Sequence, residues 1–485
     1  MAFSQEEKSI LTAKEVPLIQ FETSGLFDAG ENKAKSVMAV NLIPKVTGQQ
    51  TQDGVINFSG EIWAQVTFVT ISGEAAQVTK TLEFNSSAPA PELVDVSLWP
   101  EVNDYSCEVD SGDIRLNVVL SIMAAGQESV SLTQVTESEN VVVSVEEQEV
   151  SALSAMTVDE VSVNEEVKVN KIIEEVLGQN ASVIIRSAES EEGRVIIDGE
   201  AIVNLTVKSG ENVSQENLLI NFRQEMACVG AEAGQEARVY ALVSGVEVSL
   251  KESKDDREET TAEVTVNVKA LAQTFKTEQV SLTTDAFSTD ALSFPVREAV
   301  NVYNQLQPTL QTKSVTVNLD VSSYENLDEV CFVNLSSVTP AIGGGAAAGV
   351  EATIKTTDGE LDVIKAQIPF EISFNGDIMP DKLLAKVDSF HLRGGKEIEI
   401  NLSVYAQFNQ TVTQTLSFIS SLNETEQSDE SAGIEVYLVK EGDKLFDVCR
   451  KLRVRPEVVL AQNENAENLT AGDKIFVYNQ QVAQF

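Results

Sequence analysis

The sequence predicts a mostly β protein: three repeated antiparallel β-rich modules with small helices, followed by a small strand-helix-helix-strand (α+β) domain. Three observations predict this fold class. Apolar and polar residues alternate along several segments, a Gly-Glu…Phe pattern recurs three times, and apolar residues near the C-terminus change to helical spacing. The 485 residues also exceed what a single hydrophobic core accommodates, which favours several domains.

The recurring pattern is a turn at Gly-Glu followed by a strand that ends in Phe. Its copies occupy residues 72–84, 209–222 and 358–370, and Phe84, Phe222 and Phe370 are 138 and 148 residues apart. Strand-like runs precede the turns, and the first two carry a further Gly-Glu at Gly60 and Gly199. The recurrence predicts one module used three times, over residues 1–149, 150–289 and 290–421.

A strand with strict alternation follows each of these phenylalanines. The apolar residues that share one face are Ile114, Leu116, Val118, Leu120 and Ile122, then Val264, Val266 and Val268, then Ile398, Ile400, Leu402 and Val404. A period of two places one face of the strand in a core and the other in water. It is typical of antiparallel sheets and sandwiches.

Between the strands, two segments have roughly helical spacing of apolar residues. Residues 165–177 precede Gly178 and residues 296–306 precede Pro308, so each is predicted to be a short helix with a stop signal. Residues 341–349, rich in Gly and Ala, are predicted to form a flexible loop. Acidic joints are predicted at residues 136–149 and, as a flexible linker, at residues 422–433.

The acidic charge lies in the body of the chain. The formal net charge is -42, whereas residues 434–485 contain seven Lys and Arg against eight Asp and Glu. A chain this acidic is not expected to bind nucleic acid, because phosphate binding requires a basic face. The sequence has neither a signal-like start nor an apolar run of about twenty residues, so we expect no membrane insertion and no export.

No residue pattern predicts catalysis, a cofactor or a metal. Catalysis by a nucleophilic Ser or Cys ordinarily needs a histidine base, and the chain has a single histidine, His391. Neither Gly-x-Ser-x-Gly nor His-Glu-x-x-His occurs. Asp110 and Asp113, and the acidic run 255–259, are predicted to be loop tips because neither has the spacing of a calcium loop. The four cysteines have no Cys-x-x-Cys spacing and are predicted to be reduced thiols. We therefore expect a protein that is not an enzyme.

Residues 434–478 have the most specific pattern. Tyr437 and Val439 alternate as a strand and Gly442-Asp443 predicts a turn; Leu445, Val448, Cys449 and Leu452 then share a helix face. Pro456 suits the first turn of a second helix. Gly472-Asp473 predicts a second turn into a closing strand through Ile475 and Val477, and residues 479–485 form a short tail.

This pattern of strands, Gly-Asp turns and Asn463 resembles the LysM family of small glycan-binding modules. The resemblance covers residues 434–478 and implies a shallow groove for N-acetylglucosamine chains, such as those of peptidoglycan, between two loops. By residue, it implies these groove positions: Gly442, Asp443, Lys444 and Leu445 on one wall, Asn468, Leu469, Thr470 and Ala471 on the other, and Asn463 closing the second helix.

Lys444 departs from the family pattern, which usually has Ser or Thr after Gly-Asp. Its ammonium group suits either sugar hydroxyls or the carboxylate of a protein partner. A basic cluster follows on or just after the first helix, comprising Arg450, Lys451, Arg453 and Arg455. Two interpretations remain open for it: a hydrated helix face, or a docking patch for an acidic partner.

Acidic repeated β modules followed by a C-terminal LysM resemble the SPOCS-module spore-coat proteins of endospore-forming Firmicutes, typified by the SipL proteins. The resemblance implies a cytoplasmic protein of the mother cell, at the forespore surface or spore coat, that anchors coat morphogenetic proteins. Two main hypotheses follow: a non-enzymatic assembly adaptor, and a protein that binds peptidoglycan or cortex glycan. A wall hydrolase is a third, for which no catalytic domain is recognised.

Overall fold

The structure is a computed structural model. It describes residues 4–210, 212–252, 259–305, 309–324, 326–341, 345–374, 380, 382–408, 411–425, 433–464 and 466–479. These residues form 22 β-strands and two short α-helices, so the prediction of a mostly β protein is confirmed. All strand pairs between them are antiparallel.

The first stretch of chain forms two three-stranded sheets. Its strands are β1 (Gln5–Phe27), β2 (Ala34–Gln52), β3 (Val55–Thr70), β4 (Ala75–Pro89), β5 (Val94–Asp110) and β6 (Asp113–Val135). The sheet orders are β1-β6-β5 and β2-β3-β4. The first strand therefore pairs with the last, and the three middle strands form the facing meander.

The second stretch forms another two sheets. Its strands are β7 (Val141–Val169), β8 (Glu175–Glu191), β9 (Arg194–Ser209), β10 (Asn212–Ala227), β11 (Glu236–Glu252) and β12 (Thr260–Ser288). The orders are β11-β12-β7 and β10-β9-β8. Strand β7 already begins at Val141, so the latter part of the acidic joint predicted at residues 136–149 is strand.

The third stretch completes the body. Its strands are β13 (Leu292–Gln305), β14 (Thr309–Asp320), β15 (Leu327–Ala341), β16 (Gly345–Thr356), β17 (Leu361–Phe370), β18 (Lys382–Arg393), β19 (Glu397–Phe408) and β20 (Thr411–Thr425). Strand β13 pairs with β20, and the two sheets have the orders β14-β19-β18 and β15-β16-β17. The Gly-rich loop predicted at residues 341–349 is therefore partly wrong, because residues 345–349 belong to β16.

The alternating strands supply the cores of the three stretches. All twelve apolar residues predicted to share a face on β6, β12 and β19 are buried. They pack against inward residues of the opposite central strand in each stretch, such as Ile62 and Ala64 of β3 in the first. Burial of such aliphatic side chains is the main driving force that holds each pair of sheets together.

In the first two copies of the recurring pattern, the Phe covers a glycine on the neighbouring strand, whereas Phe370 of the third copy lies opposite Ala346. Phe84 lies opposite Gly60, and Phe222 lies opposite Gly199. A Cβ on Gly60 would lie 2.2 Å from Cζ of Phe84, and a Cβ on Gly199 would lie 2.5 Å from Cζ of Phe222. At these two positions only glycine leaves room for the ring.

The three stretches pack against one another. One apolar cluster takes two residues from each stretch: Met38 and Val69, Leu177 and Val213, and Phe332 and Leu361. A second cluster also draws on all three, with Ile10 and Leu132, Val150, Ala152, Val280 and Leu282, and Val302, Leu416 and Phe418. The body is therefore one packed unit with shared cores.

Both helices predicted within the body are wrong. Residues 165–169 end β7, and residues 175–177 begin β8. Gly178 is not a helix stop: it sits at a bulge in β8, and a Cβ there would lie 2.7 Å from Oγ1 of Thr67. Residues 296–305 belong to β13, because pairing with β20 satisfies their backbone; residues 306 and 308 lie outside the described residues. The spacing of apolar residues in these valine-rich segments fits both a helix and a strand. Pairing with neighbouring strands determines that they are strands.

The C-terminal unit comprises β21 (Gly433–Leu438), α1 (Leu445–Leu452), α2 (Pro456–Gln462) and β22 (Lys474–Asn479). The strands pair antiparallel, and Pro456 occupies the first turn of α2 as predicted. The linker predicted at residues 422–433 starts too early, because β20 continues to Thr425; residues 426–432 lie outside the described residues. Apolar residues of both helices and β22 form the core of the unit, including Val448, Cys449, Leu452, Val459, Ile475 and Val477.

Candidate binding site in the C-terminal unit

Each Gly-Asp pair of the C-terminal unit forms a turn that its own aspartate closes. Gly442 and Gly472 have φ of 87° and 99°, a conformation that favours glycine. Oδ2 of Asp443 accepts hydrogen bonds from the Lys440 backbone N–H and the Tyr437 hydroxyl, both at 2.8 Å. Oδ2 of Asp473 accepts from the backbone N–H and hydroxyl of Thr470, at 2.8 and 2.7 Å. Both turns are therefore preformed.

Backbone hydrogen bonds hold the two turns side by side. The Val439 N–H donates to the Asp473 carbonyl, and the Gly472 N–H donates to the Val439 carbonyl, both at 2.9 Å. The two walls predicted from the sequence are thus adjacent. Their exposed residues are Gly442, Lys444, Asn468, Thr470 and Ala471, whereas Leu445 and Leu469 are half-buried against the core of the unit.

These hydrogen bonds perturb the ionisable groups of the first turn. The Lys440 N–H, followed by the Tyr437 hydroxyl, lowers the pKa of Asp443. The hydrogen bond between Asp443 and the Tyr437 hydroxyl also raises the pKa of Tyr437. In the second turn, bonds from Thr470 lower the pKa of Asp473. Both carboxylates stay ionised at neutral pH and keep their turns closed.

Asn463 connects α2 to β22. Its Nδ2 donates to the carbonyls of Val459 and Phe476 at 2.9 and 2.8 Å, and its Oδ1 accepts from the Phe476 N–H at 2.8 Å. The side-chain amide is fully engaged in these contacts. Asn463 therefore lies at the C-terminal end of α2 and positions the closing strand.

The four residues of the basic cluster have different surroundings. Arg450 forms an ion pair with Asp285 of β12. Arg455 forms an ion pair with Glu137 and donates to the backbone carbonyls of Ser138 and Glu139 at 2.8 and 3.0 Å. Lys451 is exposed, and Arg453 ends α1 with a left-handed φ of 52°. Two of the four thus bind the body of the same chain.

Apolar contacts accompany these ion pairs. Phe446 of α1 packs edge-on against Phe287 of β12, with ring centroids 5.2 Å apart, and Val142 and Phe287 belong to the core of the C-terminal unit. The body surface formed by Glu137, Ser138, Glu139, Val142, Asp285 and Phe287 is called the acidic seat below. Sequence reasoning missed it, although the acidic joint at 136–149 opposite a basic cluster was an available signal.

One face of the β21–β22 pair remains exposed. Ile434, Val436 and Leu438 on β21, and Phe476 and Tyr478 on β22, are all exposed. Alternation along both strands places their neighbours Ile475 and Val477 in the core.

Metal-ligating and thiol side chains are the other groups that could carry chemistry. Among the described residues, no group of three or more His, Cys, Asp or Glu is arranged to hold a metal ion. His391 lies exposed on β18. Burial raises the pKa of Cys107 and Cys449 to about 12. No helix among the described residues is long and apolar enough to span a membrane.

Residues 172–251 match the family described as SipL, SPOCS domain. The match runs from just before β8 to the end of β11 and spans well under half of the chain. It indicates a protein related to sporulation. No curated protein and no solved structure matches the chain.

Proposed function

We propose that the protein is a non-enzymatic assembly or anchoring protein of the spore coat. In this proposal the β-rich body makes protein contacts, and the C-terminal unit docks a partner such as a coat morphogenetic protein in the mother cell. The SPOCS match in the second stretch supports a role in sporulation.

The body is proposed to consist of three copies of one SPOCS-like module. In each, the chain that opens the module pairs with the chain that closes it, and three strands between them form a separate meander. The opening and closing strands are β1 and β6, β7 and β12, and, in the third, the two pairs β13 with β20 and β14 with β19. Inward residues of the central strands correspond in position: Ile62, Ala64, Val66 and Phe68 on β3; Ala201, Val203, Leu205 and Val207 on β9; Ala348, Val350, Ala352 and Ile354 on β16. Shared topology and burial support a common module.

The C-terminal unit is proposed to be a LysM domain. The strand-helix-helix-strand order and the two closed Gly-Asp turns support this assignment. Its groove would lie between the walls 442–445 and 468–471.

One observation carries the proposal that the turns meet the partner. Arg450 and Arg455 are engaged with the acidic seat, whereas Lys444, Asn468 and Thr470 remain exposed. The helix side of the unit is therefore occupied by the protein's own body, whereas the turns, like the outer face of β21 and β22, stay available to a partner. Lys444 supplies a positive charge at that surface for a partner carboxylate.

The test is a pull-down from sporulating cells with the full-length chain. Recovery of coat proteins should be lower with Lys444→Glu than with the wild-type chain. It should be unchanged with Lys168→Glu, a matched charge reversal at an exposed position of β7. Recovery of no coat protein, or equal recovery by both variants, would count against docking at the turns.

The alternative is that the same groove binds peptidoglycan or cortex glycan. It is favoured by the neutral second wall, where Asn468 and Thr470 are exposed. Co-sedimentation with purified peptidoglycan should then be lost in Asn468→Ala and Leu469→Ala. Asn463→Ala is unsuitable for this test because loss of the Asn463 side chain, which bonds to the Phe476 backbone, would disturb the fold of the unit itself.

A further inference from the structure

A polar crevice of about 200 Å³ lies where the second and third stretches meet. Carboxamide and hydroxyl groups dominate its lining, with Asn180, Ser182, Asn204, Gln215, Asn217 and Asn334. A narrower pocket of about 20 Å³ shares four of these residues and extends to Asn41 of the first stretch. The two together are called the amide crevice, and they exist only because the three stretches pack together.

Two amide oxygens in the lining lack a donor. Nδ2 of Asn217 donates to the Val387 carbonyl at 2.9 Å, but its Oδ1 is shielded from solvent and accepts no hydrogen bond from any described residue. Asn41 is 6% exposed; its Nδ2 donates to the Gln179 carbonyl, and its Oδ1 likewise has no donor within the described part of the chain. Shielded acceptors of this kind are costly unless an O–H or N–H reaches them.

The lining also selects against charged ligands. Within the described residues no carboxylate lines the crevice, although the chain carries a net charge of -42. Its one lining cation, Lys386, lies 3.4 Å from Asp388 and is thereby neutralised. Neutral amides and hydroxyls that present both donors and acceptors suit a neutral molecule rich in hydroxyl groups.

The size of the crevice limits that molecule. A volume of about 200 Å³ exceeds the roughly 150 Å³ of an engineered cavity that binds benzene, a six-membered ring. The crevice therefore accommodates one sugar ring. We propose that the amide crevice binds a single neutral sugar ring, whose hydroxyls bond to lining amides that solvent reaches, such as Asn180 and Gln215.

Saturation-transfer NMR on the full-length chain tests this site with glucose, galactose and N-acetylglucosamine as probes. At least one probe should give saturation transfer. Asn180→Leu with Gln215→Leu removes two lining amides without adding charge, and each lost hydrogen bond should weaken binding roughly fivefold. Asn85→Leu, at an exposed position of strand β4, is the matched control and should bind as the wild type does.

The outcomes separate this crevice from the C-terminal groove. Signals that vanish in the double variant and persist in Leu469→Ala support the crevice. Three results would overturn binding at the crevice: signals lost only in Leu469→Ala, signals unchanged in the double variant, or no signal from any probe. Absence of signal from every probe would mean that the crevice holds water alone. Circular dichroism melting of each variant confirms that loss of signal reflects binding and not unfolding.

Discussion

Replacing Arg450 by Ala is expected to loosen the C-terminal unit from the acidic seat. Arg450 pairs with Asp285, and the two side chains are 37% and 27% exposed. Partial exposure reduces the energy of such a pair from that of a buried charged hydrogen bond to about 1 kcal/mol. Arg450 also lies 3.4 Å from Asp447, so a single substitution removes more than one contact.

A double-mutant cycle isolates the pair between Arg450 and Asp285. Native-state hydrogen exchange at the Val448 amide of α1 gives the opening free energy of the unit without requiring two-state unfolding of the whole chain. We expect a coupling of about 1 kcal/mol, equivalent to roughly fivefold in exchange rate. Added salt should reduce it, because the Debye length falls to about 3 Å at 1 M.

The matched control is the cycle between Lys451 and Asp285. Lys451 adjoins Arg450 in sequence but is exposed, so its coupling should be near zero. Zero coupling for Arg450 at low salt, or equal coupling for both cationic residues, would refute docking of the unit on the acidic seat.

Three further predictions concern local structure. Asn463→Ala should destabilise the C-terminal unit by about 1–3 kcal/mol, because it leaves the Phe476 backbone without its partner, while Asn468→Ala should have no effect on exchange at that amide. Gly60→Ala should destabilise the first stretch by about 1–3 kcal/mol in urea unfolding, and adding Phe84→Leu should restore part of the loss by relieving the clash. The pKa of Asp443 is lower in the folded state than in the unfolded state. Its contribution to stability should therefore be present above the unfolded carboxyl pKa of about 3.9 and be lost as pH falls through the folded pKa. Asp443→Asn should remove this pH dependence, as measured by hydrogen exchange at several pH values.

The sequence predicted correctly those strands in which apolar residues alternate strictly with polar ones and fit no helical spacing. Alternation over Ile114–Ile122 matched β6 because one face of that strand is fully buried and the other is hydrated. The helix predictions for residues 165–177 and 296–306 were wrong because the spacing of their valines and isoleucines fits both a helix and a strand. In such segments the hydrogen-bonding partner across the sheet decides, and that partner is distant in sequence.

The candidate site divides in the same way. The Gly-Asp turns could be predicted because each is closed by contacts within a few residues, as between Asp473 and Thr470. The basic cluster could not be resolved from sequence, since exposed and paired arginines look alike until the position of Asp285 is known.

By itself, the sequence determined the β-rich class, the recurring Phe, the two turns and the strand-helix-helix-strand order of the C-terminal unit, all of which depend on local geometry and periodicity. Only the tertiary structure decided that the three stretches share cores, that Gly178 serves close packing, and that Arg450 and Arg455 meet the protein's own body. The physical reason is distance along the chain. Turns and periods are set by neighbours in sequence, whereas the shared cores and the ion pairs of Arg450 with Asp285 and Arg455 with Glu137 join residues more than a hundred positions apart.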